Sequence, residues 1–468
     1  MKKFWLICIL LVVCRLLAAF ILPTFDDAYI TFRYAFNLAS GHGLVYNPGE
    51  KVMGTTAPLF AVLASIPHLL SISVPRFFFV FNLLCDLASL YLIFRYFFKG
   101  RTDGWFCLFA ALFAFDPMIS RISIGGMEAD LFLLVSLSGL ILYLNGRKTV
   151  AAAVLAMAYF LRPEAVLLLF IVTVYELYST RKIPFLQGIT ALVVLAVPLA
   201  CIYTYYGQIL PQSVIAKSAA GREPFLHLLK MVFFPDPLFF LVFPLAVVGF
   251  MSNYRKDRLY LLAGCWIFCY GLAYLAKAPH PWSWYFFSID TLQLAFAALG
   301  VQALAERFRS GWQLPSVVQY LVLTLPLAIW GGVLFYKGRS GVEQHVYGEL
   351  RKDFPDPAEL KGKVFFADDI GALGYFTQAY IYDNQKLVTP QASQYADTRD
   401  RILHVQPDYL FVYTDDYYLD LIRKDSLLSS KYSFVKRYAI SGEKELPAAN
   451  DPVGNEYRQD YMLFRRNP

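Results

Sequence analysis

Phe25-Asp26-Asp27-Ala28-Tyr29-Ile30-Thr31-Phe32-Arg33-Tyr34 follows the first apolar segment and decides how the rest of the chain is read. Ala28, Phe32, Ala35, Phe36 and Ala39 recur at helical spacing, while Asp27, Thr31, Tyr34 and Asn37 keep to another side. The pattern predicts a helix lying along a membrane surface and opened by two adjacent carboxylates. Gly41 and Gly43 supply its stop, Asn47-Pro48-Gly49 makes a turn, and an apolar run follows over 57–72. Pro58 and Pro67 break that run, so it reads as a second interfacial helix and not as a crossing.

Working outward, the 468 residues are 57% hydrophobic and only 16% charged, which excludes a soluble single domain and predicts a mainly α, polytopic membrane protein. Crossing a bilayer takes about 20 apolar residues. Such runs fall near 4–22, 77–98, 104–120, 128–145, 184–206, 236–251, 258–276, 284–304 and 316–336, with two shorter ones, 149–161 and 163–179, meeting at Arg162-Pro163-Glu164. Eleven crossings with the N-terminus in the cytoplasm make every inside loop basic: Lys99 and Arg101, Arg147 and Lys148, Arg181 and Lys182, Arg255, Lys256 and Arg258, Arg307 and Arg309. The net charge of +7 is therefore read as a set of topology signals, and a nucleic-acid partner is excluded. Lys2-Lys3 and an apolar body resemble a secretory signal, but Arg15 interrupts it and no small-x-small site follows, so it reads as a retained span. All seven cysteines lie in apolar runs, which leaves no disulfide framework or zinc spacing.

Charge returns after Lys337. Runs at 363–368, 379–382 and 408–413 read as strands and 369–376 as a short helix, predicting a C-terminal extracytoplasmic α/β domain over 337–468 behind a transmembrane domain over 1–336. The count places Asp26, Glu128, Arg162, Lys217 and His280 on one outer face, as an active site requires.

The run DDAYITFRYAFNLASGHGLVYNPGE, followed by GTTAPLF, resembles the first extracytoplasmic loop of the GT-C type integral-membrane glycosyltransferases. The nearest subgroup is the mycobacterial terminal arabinofuranosyltransferases and their bacterial relatives; the lipid A aminoarabinose transferase and the protein O-mannosyltransferases are more distant. ADDIGALGYF and QKLVTP in the tail resemble the same subgroup. The resemblance implies an inverting enzyme of the bacterial inner membrane. It would move a monosaccharide from a polyprenyl-phosphate donor to a cell-envelope glycan or lipid-linked acceptor.

Each candidate residue has a structural alternative. Asp26 and Asp27 could simply cap a helix; the family's first acid is its catalytic one, which maps onto Asp26 and leaves Asp27 a supporting acid or a metal or acceptor contact. Arg162 is either an interfacial turn residue or a cation that meets the donor phosphate in an outward-open cavity. Lys217, in YGQILPQSVIAK, resembles a loop of the subgroup and is a second phosphate contact or a solvated lysine. Glu128 resembles the family's second acidic position or begins a helix. His280, Trp284 and Tyr285 form an aromatic belt or a sugar platform. A divalent metal on Glu128 and the loop acids stays open, without a His-rich or dense carboxylate signature to name one. Arg15 and Asp86, at similar depth in two spans, read as an ion pair. A transporter or flippase of lipid-linked sugars, and a non-catalytic envelope scaffold, are the other function classes.

Overall fold

The computed structural model describes residues 2–21, 24–219, 223–277, 281–308, 332, 342–414, 416–438 and 460–468. The chain divides into two compact units. One comprises Met1–Ile21, Pro75–Gly207 and Ala220–Lys337; the other comprises Leu22–Val74, Gln208–Ala219 and Gly338–Pro468.

The first unit is helical and carries the membrane spans of a multi-pass protein. Among the described residues five helices are long and apolar enough to cross a bilayer: Lys2–Phe20, Val74–Phe97, Phe185–Tyr206, Arg258–Ala276 and Phe287–Phe308. Ala129–Leu144, Lys148–Ala158, Ala165–Thr180 and Phe239–Asn253 are shorter apolar helices, and the run expected at 316–336 lies outside the described residues. The run read as one span over 104–120 is instead two helices, Gly104–Phe115 and Pro117–Ile124, bent by 60°. Pro117 cannot donate to the Phe113 carbonyl, and Asp116, extended and buried, caps the second helix by accepting Ile119 N–H at 2.8 Å.

Arg15 and Asp86 form the expected ion pair, Nε to Oδ2 at 2.8 Å, with both side chains buried. Arg15 also does what the sequence did not indicate. Its Nη1 donates to Ser120 Oγ at 2.7 Å and to the Ala114 carbonyl at 3.2 Å, and its Nη2 donates to the Phe113 carbonyl at 3.2 Å. The guanidinium thus satisfies carbonyls that the break at Pro117 strips of helical partners. Arg15→Leu should destabilise by about 3–5 kcal/mol, the range for breaking a buried pair. Exchanging the two residues should recover little of it, because the arginine would no longer sit beside the broken helix end; thermal unfolding in detergent measures both, and full recovery by exchange would confine Arg15 to the ion pair.

The second unit is built on a five-stranded sheet: β1 (Val364–Ala367), β2 (Tyr380–Asp383), β3 (Tyr409–Tyr413), β4 (Tyr432–Tyr438) and β5 (Tyr461–Arg466), in the order β2-β1-β3-β5-β4. β2, β1 and β3 are parallel, and β5 and β4 add antiparallel. Phe366, Leu410, Val412, Met462 and Phe464 from the sheet make its core with Ile402, Tyr418 and Leu419 from the covering helices. The three parallel strands are those expected from the sequence. β5 was missed because Tyr461 to Phe464 are buried without alternation, and so carry no period-two signal.

The first-loop helix spans Asp26–Ala39 and ends as its glycine predicts: Gly41 takes φ +81°, His42 N–H reaches Asn37 O at 2.9 Å and Gly41 N–H reaches Leu38 O at 3.2 Å. Its surroundings differ from the sequence reading of a surface helix, since Thr31, Arg33, Tyr34 and Asn37 on the polar side are buried together with the apolar stripe. Arg33 donates to the carbonyls of Tyr46, Gly374 and Ala379 and lies over the Tyr46 ring. Asn47 accepts from Ile381 N–H at 3.2 Å and donates to Ile381 O at 2.9 Å, so one amide side chain stands in for a neighbour along the edge strand β2.

Candidate active site

Neither acid of the pair caps its own helix; Phe25 holds the N-cap position with no side-chain bond. The Asp26 carboxylate caps another helix, Gly371–Thr377, which is distant in sequence. It accepts Gly371 N–H at 2.8 Å, Ala372 N–H at 2.8 Å and the Tyr347 hydroxyl at 3.1 Å. Ile370, the local N-cap of that helix, offers no side-chain bond of its own. Gly371 is required here, since a Cβ would run into the Asp26 backbone carbonyl, and a Cβ on Gly374 would meet the Tyr46 hydroxyl. Both glycines of ADDIGALGYF therefore exist to let this helix approach the first loop.

Asp27, next along, is half-buried, and its burial pushes the carboxyl above the usual carboxylate range, with Lys217 offsetting part of the rise. Lys217 is carried on the helix Gln212–Ala219, which Gln212 fixes to this unit through its N–H to Met53 O at 2.6 Å and its side-chain amide to Lys386 O at 3.2 Å. Asp26, Asp27 and Lys217 thus belong to one unit, although the last lies far along the chain from the acids.

Asp369 was not singled out in the sequence. At the carboxyl end of β1, it accepts the Tyr413 hydroxyl at 2.6 Å and the Tyr461 hydroxyl, and burial, followed by the nearby Asp26 charge, raises its carboxyl to about 7. A raised acid binds its proton more tightly folded than unfolded. Asp369 therefore contributes stability that is fully present below about pH 4 and is lost as pH rises through about 7. Hydrogen exchange of residues 364–383 in the full-length protein should speed up from pH 5 to pH 8 beyond the intrinsic chemical rate. Asp369→Asn should reduce that slope, leaving the part due to Asp383, another buried carboxyl raised to about 7; an unchanged slope would remove Asp369 from the effect.

The first unit holds the other expected residues. Arg162, in the turn between Lys148–Ala158 and Ala165–Thr180, is buried and donates to Glu128 Oε1 at 2.8 Å and to Glu164 Oε1 at 3.3 Å. Its guanidinium lies 4.6 Å from the Tyr285 ring centroid, and Tyr274 donates to Glu164. Arg162 and Glu128, read from the sequence as phosphate and substrate contacts, are thus partners in one ion pair, with Glu164 as a third member. Trp284 is buried and stacks with Trp282 at 5.3 Å and 3°. One face of Tyr285 is occupied by Arg162, and His280 lies outside the described residues. Glu164 was legible only as the end of Arg-Pro-Glu; Tyr274 and Tyr347 carry no local signal at all. Among the described residues no three His, Cys, Asp or Glu side chains are spaced to hold a metal ion, so no step is assigned to one.

Comparison with known proteins gives the fold. A family model described as a domain of unknown function, DUF8728, matches residues 349–463. No curated protein matches the sequence. Among solved structures, ArnT from Cupriavidus metallidurans is similar in its apo state (TM-score 0.56, 12% identity, 98% of this chain and 97% of that one) and bound to undecaprenyl phosphate (TM-score 0.60, 12% identity, the same coverage). The Archaeoglobus fulgidus oligosaccharyltransferase tethered to an acceptor peptide is similar at TM-score 0.54 and 11% identity, over 100% of this chain and 76% of that one. Over essentially its whole length, this chain has the fold of the GT-C membrane glycosyltransferases.

Proposed function

We propose that the protein transfers a monosaccharide, with inversion, from a polyprenyl-phosphate donor to a cell-envelope glycan or lipid-linked acceptor at the outer face of the bacterial inner membrane. Its first loop and tail motifs support the terminal arabinofuranosyltransferase-like subgroup. The observation that carries the reading is that, on a GT-C fold, a half-buried acid of the first loop, Asp27, is raised by its burial and feels the charge of Lys217 in the same unit. In such a transfer the acceptor oxygen attacks the anomeric carbon, the bond from that carbon to the phosphate oxygen breaks, and the acceptor proton passes to a base. A carboxyl raised toward neutral pH is better suited to that task than one held low. Asp26, in contrast, has its oxygens committed to two backbone N–H groups and a tyrosine, which fits it to hold the loop in place and not to receive a proton from the acceptor. The base assignment therefore moves from Asp26 to Asp27, with Asp26 as the residue that positions it. Lys217 is the phosphate contact, stabilising charge on the leaving group. Arg162, already neutralised by two glutamates, is a weaker candidate for that role.

A transporter should show interrupted helices at matching places in two halves. Among the described residues the breaks at Asp116 and at 159–164 both fall in the first half. The deciding experiment offers purified protein a panel of polyprenyl-phosphate monosaccharides with envelope acceptors. Sugar transfer supports the enzyme; translocation of the lipid across a vesicle membrane without transfer would replace it with a flippase.

A further inference from the structure

Arg33 is the one charged residue of the stretch Phe25 to Tyr34 that the chemistry above leaves without a role. It is fully buried, and among the described residues no carboxylate pairs with it. A buried guanidinium without a counter-charge is costly unless its donors are met. Backbone carbonyls meet them here. Nε donates to Tyr46 O at 2.7 Å, Nη1 to Gly374 O, and Nη2 to Ala379 O at 2.5 Å, with Asn47 Oδ1 a weaker acceptor at 3.4 Å.

Those carbonyls belong to a larger arrangement. Gly371–Thr377 has only seven residues, so most of its N–H and C=O groups find no partner within the helix. Asp26 accepts from its first turn; Arg33 donates to Gly374, one of its last four carbonyls, and to Ala379 just past its end. Asp26 and Arg33 lie about two turns apart, so they project from one face of Asp26–Ala39 and hold the two ends of a single helix. The signs also match its dipole, with the anion at the amino end and the cation at the carboxyl end. Tyr46 completes the grip: its ring lies under the guanidinium, and its hydroxyl donates at 2.5 Å to Ile370 O, just before the gripped helix. Asp27 stands about 100° around the helix from Asp26, off the gripping face, and feels Lys217 instead.

We infer that Arg33 is a positioning residue for sugar transfer: with Asp26 it grips the tail helix Gly371–Thr377 by both ends and so fixes where Asp26–Ala39 presents Asp27. The inference rests on the reaction and the base proposed above. Arg33 and the Gly374 carbonyl are 341 residues apart in sequence, so the tail is part of what holds the base in place.

The test compares variants of the full-length protein in nanodiscs, below their unfolding temperatures. Arg33→Met removes the grip directly. Gly374→Ala disturbs it from the tail, because the added methyl meets the Tyr46 hydroxyl and the Arg33 side chain. Leu428→Ala, in the core of the sheet, is the control for lost stability alone. Both grip variants should lower kcat by about tenfold to hundredfold, the effect of a small misplacement at the reacting atoms. KM for the lipid donor should stay unchanged, because the Lys217 helix is held through Met53 and Lys386. The two changes combined should lose no more than the larger single loss. Leu428→Ala should keep kcat. Hydrogen exchange at residues 26–33 needs no activity and should speed up more in Gly374→Ala than in Leu428→Ala. Unchanged kcat in Gly374→Ala, an equal kcat loss in Leu428→Ala, or exchange at 26–33 no faster in Gly374→Ala than in the control would each overturn the inference and leave Arg33 a structural residue. Wild type that transfers no sugar, or Asp27→Asn with normal transfer, would instead remove the proposed reaction or its base, and the exchange result would still decide the grip.

Discussion

Asp27→Asn should lower sugar transfer by roughly 10²–10⁴-fold, the contribution of a positioned general base, while donor binding survives. Asn matches Asp in size and keeps one acceptor oxygen, so folding should be intact and the loss should fall on kcat. Asp26→Asn should cost less, because its amide oxygen can still accept one of the two N–H groups of the Gly371–Thr377 helix. Asp26→Ala removes the cap and should destabilise by about 0.5–2 kcal/mol. The pH profile adds a reading that a structural role would not produce. Burial raises the Asp27 carboxyl and Lys217 holds it partly down, so the acid limb of kcat/KM should lie above the ordinary carboxylate range and move higher still in Lys217→Met. An inactive Asp26→Asn beside an active Asp27→Asn would return the base to the first acid.

Arg162→Ala should destabilise the first unit by about 3–5 kcal/mol, because it strands the buried Glu128 and the half-buried Glu164, which share one cation. Arg162→Lys should recover only part of this. An ammonium lacks the planar fork that reaches Glu128 and Glu164 together while lying over Tyr285. Removing one of the stranded charges should help: Arg162→Ala with Glu128→Gln should be more stable than Arg162→Ala alone, as thermal unfolding in detergent would register. An Arg162→Ala protein that unfolds like wild type but has a raised KM for the lipid donor would contradict this and identify Arg162 as a phosphate contact.

The acid pair shows why one prediction from sequence survives and another changes. That Asp26 and Asp27 open a helix follows from spacing over a few turns and from Gly41 beyond its end, all of it local. What each carboxylate touches depends on Tyr347, Gly371 and Lys217, which come from remote parts of the chain. Equal chemistry at adjacent positions then yields one acid committed to backbone N–H groups and one desolvated in the field of a lysine.

The same division holds in the membrane unit. Arg15 and Asp86 could be paired from depth alone, because an isolated charge in a span demands a partner. The guanidinium's second duty at the Phe113 and Ala114 carbonyls could not, because Pro117 marks where the helix can break but nothing local says which distant group meets the carbonyls it frees. The sequence by itself determined what is written in short-range periodicity and in the price of exposing apolar surface: the apolar helices, the helix that opens on the acid pair and the three parallel strands. Beyond the Arg15–Asp86 pair, tertiary structure decided which polar groups meet. A buried donor or acceptor is satisfied by whichever group the fold delivers, and for Asp26 and Arg162 those groups lie at distances along the chain that no local pattern encodes.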